Sequence, residues 1–180
     1  MGFFRRNDDD IAAGRRFQMR EKLIAIGDDS WIEDDEGDRV YKVNGKAMRI
    51  RDTFILEDTD GHELAKIQER KLRVRDSMKI ERDGRTVATV HKALIGIRDR
   101  FHIEVEDGED LRAHGNVLDH EYRIERDGDA IATVSKRWFR VRDTYGVEIL
   151  AGEDEALLLS MTVALDAMTS DQRSAQGRPS

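Results

Sequence analysis

Asp154-Glu155-Ala156-Leu157-Leu158-Leu159-Ser160-Met161-Thr162-Val163-Ala164-Leu165-Asp166-Ala167-Met168 reads as a helix with no solvent face. From Ala156 to Leu165 only Ser160 and Thr162 interrupt the apolar residues, and both hydroxyls can bond back to carbonyls of the same helix. Such a helix must be enclosed. Lipid cannot enclose it, because a bilayer crossing needs roughly 20 apolar residues and this run falls well short. Asp154 and Glu155 supply an N-cap and a negative first turn, so the start is well marked. The enclosure has to come from the preceding chain, which reads almost wholly as strands.

Those strands alternate. Met78-Lys79-Ile80-Glu81-Arg82, Phe101-His102-Ile103-Glu104-Val105 and Tyr122-Arg123-Ile124-Glu125-Arg126 each put apolar residues on one face and charge on the other. Phe17, Met19, Leu23 and Ala25 begin the series, and Ser30 to Asp34, a turn at residues 35–38 and Arg39 to Val43 form a hairpin. Asn44-Gly45 is the strongest two-residue turn signal, leading into a strand from Lys46 to Arg51. Asp60-Gly61, Asp83-Gly84, Asp107-Gly108 and Asp127-Gly128 then recur 20 to 24 residues apart. Between them run Ile50-Arg51-Asp52-Thr53, Val74-Arg75-Asp76-Ser77, Ile97-Arg98-Asp99-Arg100 and Val141-Arg142-Asp143-Thr144, read as strand-end ion pairs. A meander with one apolar face leaves that face bare and two edges open. Closing the sheet around the final helix removes both problems. The expected fold is mainly β, a closed antiparallel barrel around a central, buried C-terminal helix.

With 180 residues the chain has single-domain size. It contains no cysteine, which excludes disulfides, thiolate metal sites and cysteine nucleophiles. Charged residues make up 38% and the formal net charge is -7, with both signs mixed along the chain; this suits a strongly hydrated surface and disfavours nucleic acid as a partner. Met1 to Arg6 lacks the apolar core of a signal peptide, and Arg6 stands where a myristoylation motif needs Ser or Thr.

Many ordered motifs resemble one family. Phe17-Gln18-Met19-Arg20-Glu21-Lys22, Trp31-Ile32-Glu33-Asp34, Tyr41-Lys42-Val43-Asn44-Gly45-Lys46-Ala47, Phe54-Ile55-Leu56-Glu57-Asp58 and Leu64-Ala65-Lys66-Ile67 are similar to the opening half of the LURP-one-related family. Ala88 to Lys92, Gly115-Asn116, Tyr122 to Ile124, Asp143 to Glu148 and Val163 to Asp166 are similar to its later half. The resemblance implies about twelve antiparallel strands around a central helix, a fold shared with the tubby C-terminal domain and the phospholipid scramblases. It also implies the associations of those proteins: phosphoinositide-bearing membranes for tubby-like domains, lipid movement for scramblases, pathogen defence for plant members. The expected layout is a polar lead-in over residues 1–14, the barrel over 15–168 with its helix at 154–168, and a disordered tail over 169–180.

Candidate sites lie where cations alternate with apolar residues. Lys71-Leu72-Arg73-Val74-Arg75 would line three cations along one strand face. Lys46, Arg49 and Arg51 form a second group, and Lys136, Arg137, Arg140 and Arg142 a third. Brought together, these would grip phosphate oxygens, with arginine offering bidentate contacts. The plainer reading pairs each cation with a carboxylate across the sheet. Arg5, Arg6, Arg15 and Arg16 beside Phe3 and Phe4 suit a membrane contact or a frayed terminus.

His62, His91, His102, His114 and His120 have no helical ligand spacing and no cysteine to assist them, so no metal and no cofactor is expected. Leu56 to Gly61 is similar to a calcium loop but has Leu56 at the first ligand position and Ile67 in place of the closing Glu, and so reads as a turn. Ser30, Ser77, Ser135 and Ser160 lack a nucleophile frame. Trp31, Trp138 and Phe139 read as core or rim. Asp166 has no structural explanation in the sequence: a carboxylate late in an apolar helix opposes the dipole and needs a partner at the barrel mouth. The expected function is a non-enzymatic binding or scaffold module of the LURP-one-related type, in the cytoplasm or at the periphery of a membrane. Its expected partner is an anionic membrane surface or a phosphorylated ligand. The alternatives are a protein-interaction module without a small ligand, a hydrolase-like enzyme with a cleft at the rim and, last, a scramblase-like transporter.

Overall fold

Alternation of apolar and charged residues organises the structure, a computed structural model that describes residues 14–20, 29–48, 51–71, 76–92, 100–139 and 143–176. Twelve strands follow one another: β1 (Arg15–Arg20), β2 (Ser30–Asp34), β3 (Arg39–Met48), β4 (Arg51–Glu57), β5 (Glu63–Lys71), β6 (Asp76–Arg82), β7 (Arg85–Lys92), β8 (Arg100–Val105), β9 (Leu111–Asn116), β10 (Glu121–Arg126), β11 (Asp129–Ser135) and β12 (Thr144–Ile149). A short 3-10 turn, Lys136–Trp138, follows β11, and one helix, α1 (Glu155–Gln176), ends the described chain. Each strand pairs antiparallel with the next, and β1 closes the barrel on β12 from Arg15↔Ile149 to Arg20↔Thr144. No edge is left open to pair with another chain.

Side chains of every second residue point inward. Phe17, Met19, Ile32, Val43, Leu56, Ile67, Ile80, Val90, Ile103, Ile124, Val147 and Tyr145 are all buried to at most 1% exposure, and the helix lies among them. Leu158 to Asp166 are nine consecutive buried residues, covering every side of α1. The helix is therefore enclosed, and Leu158, Leu159, Met161, Val163 and Leu165 each contribute about 1.5–3 kcal/mol by burial. Its hydroxyls behave as the sequence requires: Ser160 Oγ donates to Ala156 O at 2.7 Å, and Thr162 Oγ1 to Leu158 O at 3.0 Å. Asp154 caps the helix, accepting from the Leu157 N–H at 3.0 Å.

Four of the hairpins share one irregularity. The register shifts after Ile32, Leu56, Ile80 and Ile124, each followed by Glu, and leaves Val40, Leu64, Val87 and Ile131 as the extra residue on the partner strand. A bulge adds twist and bends the strand, which helps to close the sheet. Val40 and Val87 pack against the core, and Ile131 belongs to it. All four Asp-Gly pairs fall in strand connections. Asp83 and Asp127 have φ of 49° and 51°, with their glycines also left-handed, as a two-residue hairpin turn demands.

Two expectations are corrected. Asn44-Gly45 does not turn: β3 runs on to Met48, with Asn44 opposite Ile55 and Gly45 opposite Phe54. Continuous pairing with β4 from Lys42 to Met48 outweighs a local turn preference. Lys71 is the last residue of β5 and pairs with Asp76, the first of β6; Leu72 to Arg75, the rest of the strand expected from the sequence, lie outside the described residues. Finally, α1 continues to Gln176, so residues 169–176 are helical and not a tail. Polar residues there do not end the helix; the first Gly or Pro after Glu155 is Gly177.

Candidate functional site

Antiparallel pairing gives the barrel two different ends. At the entry end, where α1 begins, lie the connections 35–38, 58–62, 83–84, 106–110, 127–128 and 150–154; each contains a carboxylate and none contains Lys or Arg. Arginines on the flanking strands hold the acids that lead into the helix. Arg82 makes two bonds to Asp154, at 2.5 and 2.7 Å, and Arg126 makes two to Glu153, at 2.7 and 2.8 Å. Arg15 Nη1 reaches Glu155 Oε2 at 2.9 Å, and the Tyr41 hydroxyl donates to the same oxygen at 3.0 Å. The Arg82 bond holds the Asp154 carboxyl below its ordinary range. Burial, then the bond to Glu155, pushes the Tyr41 phenol up to about 12. Chemically this end is a clamp for the helix.

The other end, toward which α1 runs, holds a buried polar pair. His120 sits in the β9–β10 turn at φ 53°, and its Nε2 lies 2.7 Å from Asp166 Oδ1; both side chains are 1% exposed. The His120 ring stacks on Tyr145 at 4.1 Å. Nε2 faces the carboxylate and so carries the ring proton, while the buried Nδ1 has no hydrogen-bond partner among the described residues. This answers the difficulty of Asp166: its partner is a histidine from a turn 46 residues away. Glu69 and Lys92, at inward register positions opposite Met78 and Phe101, add charge to the same end.

The cations singled out in the sequence cannot be read as one patch. Arg49, Arg73, Arg75, Arg140 and Arg142 lie outside the described residues, and Lys46, Arg51 and Lys71 are described only as strand positions. Arg137 is 85% exposed and stands 3.8 Å from Glu121. Arg20, Arg70 and Lys92, also at this end, make no ion pair among the described residues. Arg85, exposed at the entry end, likewise makes no ion pair among the described residues.

The remaining candidates resolve simply. In the stretch similar to a calcium loop, Asp58 Oδ1 accepts from the N–H groups of Asp60 and His62, both at 2.9 Å, and Oδ2 lies 3.0 Å from His62 Nδ1. These bonds, the His62 N–H first, lower the Asp58 pKa, and Asp58 raises that of His62. Asp34 makes the same turn with Glu36 and Asp38. Asp58, Asp60 and His62 do bring three ligand-type atoms within 4.8 Å of one another. Trp138 and Phe139 pack outside the barrel, over Gly146, where an added Cβ would lie 2.7 Å from Trp138 and 2.8 Å from Phe139. They are rim residues, and Arg16 covers Trp138. Sequence reading missed the Arg82 and Arg126 clamp, although Ile-Glu-Arg-Asp-Gly occurs at both 80–84 and 124–128 and Glu153-Asp154 stand ready to receive them.

Among solved structures, the chain is similar to a protein from Arabidopsis thaliana known by X-ray structure, with a TM-score of 0.64 and 19% identity over 88% of this chain and 94% of that one. At that identity the likeness speaks for the fold alone. No curated protein matches the chain. The family described as LURP-one-related matches residues 15–166, from the first residue of β1 to the buried carboxylate of α1. Over that span, the chain belongs to the LURP-one-related family.

Proposed function

We propose that this LURP-one-related barrel is a non-enzymatic binding module that takes an anionic, phosphate-bearing group at the end opposite the helix start, at the periphery of a membrane. The observation that supports the reading is the separation of charge between the two ends. Every connection at the entry end is acidic, and three arginines there are occupied by Glu153, Asp154 and Glu155. Connections at the opposite end contain Lys22, Arg49, Arg73, Arg75, Arg98, Lys136, Arg137, Arg140 and Arg142, against Glu21, Asp28, Asp29, Asp99, Asp119 and Asp143. An anion is repelled from one end and drawn to the other. Lys46, Arg51 and Lys71 adjoin those connections and complete the set. Each Lys or Arg near an anionic surface contributes about 1 kcal/mol, so a few suffice for reversible binding.

The helix makes no membrane span: no helix among the described residues is long and apolar enough to cross. A catalytic role for His120 and Asp166 gains no support from their 1% exposure, which keeps substrate away.

Flotation with phosphoinositide-containing vesicles and with pure phosphatidylcholine vesicles, at low and physiological salt, tests the reading. Binding only to the anionic vesicles, weakened by salt and lost in Arg73→Glu/Arg75→Glu, is the expected result. Absence of binding to anionic vesicles at low salt would overturn it and leave a protein-interaction role, approached by affinity purification from the native cell.

A further inference from the structure

The connection from β11 to β12 differs in composition from the others at the basic end. Lys136-Arg137-Trp138-Phe139-Arg140-Val141-Arg142 joins four cations to three apolar residues, with no carboxylate before Asp143. Of the connections at that end, 21–29, 49–50, 72–75, 93–99, 117–120 and 136–143, it is the one that contains aromatic residues. Such a segment suits two layers at once: cations for phosphate oxygens, and rings for the depth at which headgroups meet acyl chains.

Local bonding holds the two rings on the outer wall. Ser135 caps the 3-10 turn, its Oγ donating to both Glu121 carboxylate oxygens at 3.0 Å and accepting from the Arg137 N–H at 3.1 Å. Glu121 also accepts from the Lys136 N–H at 3.1 Å. The exit from β11 is thereby fixed by two main-chain groups and a hydroxyl. Tyr145 and Val147 are buried in the core, so Gly146 between them faces outward, and the rings of Trp138 and Phe139 lie against it where any Cβ would clash. Both rings stay half-buried. Arg16, tied to Glu148, stands 5.1 Å over the Trp138 ring and steadies it. Arg20, farther along the same face of β1 and opposite Thr144, is exposed and makes no ion pair among the described residues. Arg137 is 85% exposed, and the carboxylate nearest it, Glu121, is already engaged by Ser135 and the main chain. A Trp–Phe pair set rigidly among such cations has little order left to lose on binding.

Given the anionic membrane surface proposed above for this end, we propose that Trp138 and Phe139 are its anchor. Their exposed edges enter the interfacial layer of an anionic bilayer, while Arg20, Lys136 and Arg137 meet its phosphates and Arg140 and Arg142 follow in the chain. Cations alone would hold the barrel above the headgroups and release it in salt. The rings add a part of the binding that salt does not remove.

The chain has two tryptophans, so Trp31→Phe leaves Trp138 as the one indole and makes its depth readable. With phosphoinositide-containing vesicles brominated on the acyl chains near the headgroups, Trp138 fluorescence is expected to shift to the blue and to be quenched; with pure phosphatidylcholine vesicles it should do neither. Trp138→Ala/Phe139→Ala should weaken flotation with the anionic vesicles about 10-fold or more and abolish what remains at high salt. The quenching measurement keeps both rings in place, so it stands whatever the double variant does to folding. Flotation of the wild type with anionic vesicles, without quenching of Trp138, would overturn the anchor and leave binding by charge alone. Absence of wild-type flotation would overturn the membrane reading and the anchor with it.

Discussion

The helix is held at its start and at its middle by the same kind of chemistry in opposite surroundings. At its start, Glu153, Asp154 and Glu155 each meet a cation from a different strand, on side chains that remain in part exposed, Asp154 to 47%. Midway along it, Asp166 meets His120 with both side chains 1% exposed. Water screens the first set and replaces a lost partner, so each bond is worth little and the loss of one is tolerated. The second is closed off from solvent, so water cannot readily replace a lost partner. Redundancy secures the start of the helix and burial secures its middle.

That contrast predicts the largest effect at Asp166. Asp166→Ala is expected to cost about 3–5 kcal/mol in denaturant unfolding, as removal of one member of a buried pair does. Asp166→Asn, which keeps an acceptor for the His120 N–H, should recover a substantial part of the loss. Equal losses in the two variants would show that charge, and not the hydrogen bond, holds this end.

The entry end should yield less. Asp154→Ala removes an N-cap and one exposed ion pair, for about 1–2 kcal/mol together. Because the Arg82 bond depresses the Asp154 pKa, the contribution is fully present above the ordinary carboxylate range and fades as pH falls through the lowered value. Thermal midpoints of wild type and Asp154→Ala should therefore converge in strong acid and separate near neutrality. A constant gap at all pH would mean that the carboxylate's charge contributes nothing.

How far the sequence revealed these ends differs between them. Enclosure of the helix was legible because a run such as Leu157 to Leu165, with only Ser160 and Thr162 interrupting, has no other stable place. Strand alternation and the Asp-Gly pairs located the hairpins. Asn44-Gly45 misled because turn preference is local, while this part of β3 is held by its pairing with β4. Asp166 announced that it needed a partner, but nothing local could name His120, whose ring arrives from another strand connection. The clamp arginines sat in a visible repeat, and only the barrel register shows that both copies open toward the start of the helix.

The smallest expected effect isolates one bond of the clamp. Tyr41 donates to Glu155 beside Arg15, and its phenol is pushed up to about 12, by burial first and then by that bond. A raised folded-state pKa means that the stabilisation is whole below about pH 10, the ordinary phenol value, and is lost as pH rises through about 12. Tyr41→Phe should cost only about 0.5–1 kcal/mol near neutrality, since Arg15 still holds Glu155. The chain has three tyrosines, and the difference in phenolate absorbance between wild type and Tyr41→Phe reports this one alone. Ionisation near 10 would mean that Glu155 is held by Arg15 without the phenol, which would leave the first turn of the helix on ion pairs only.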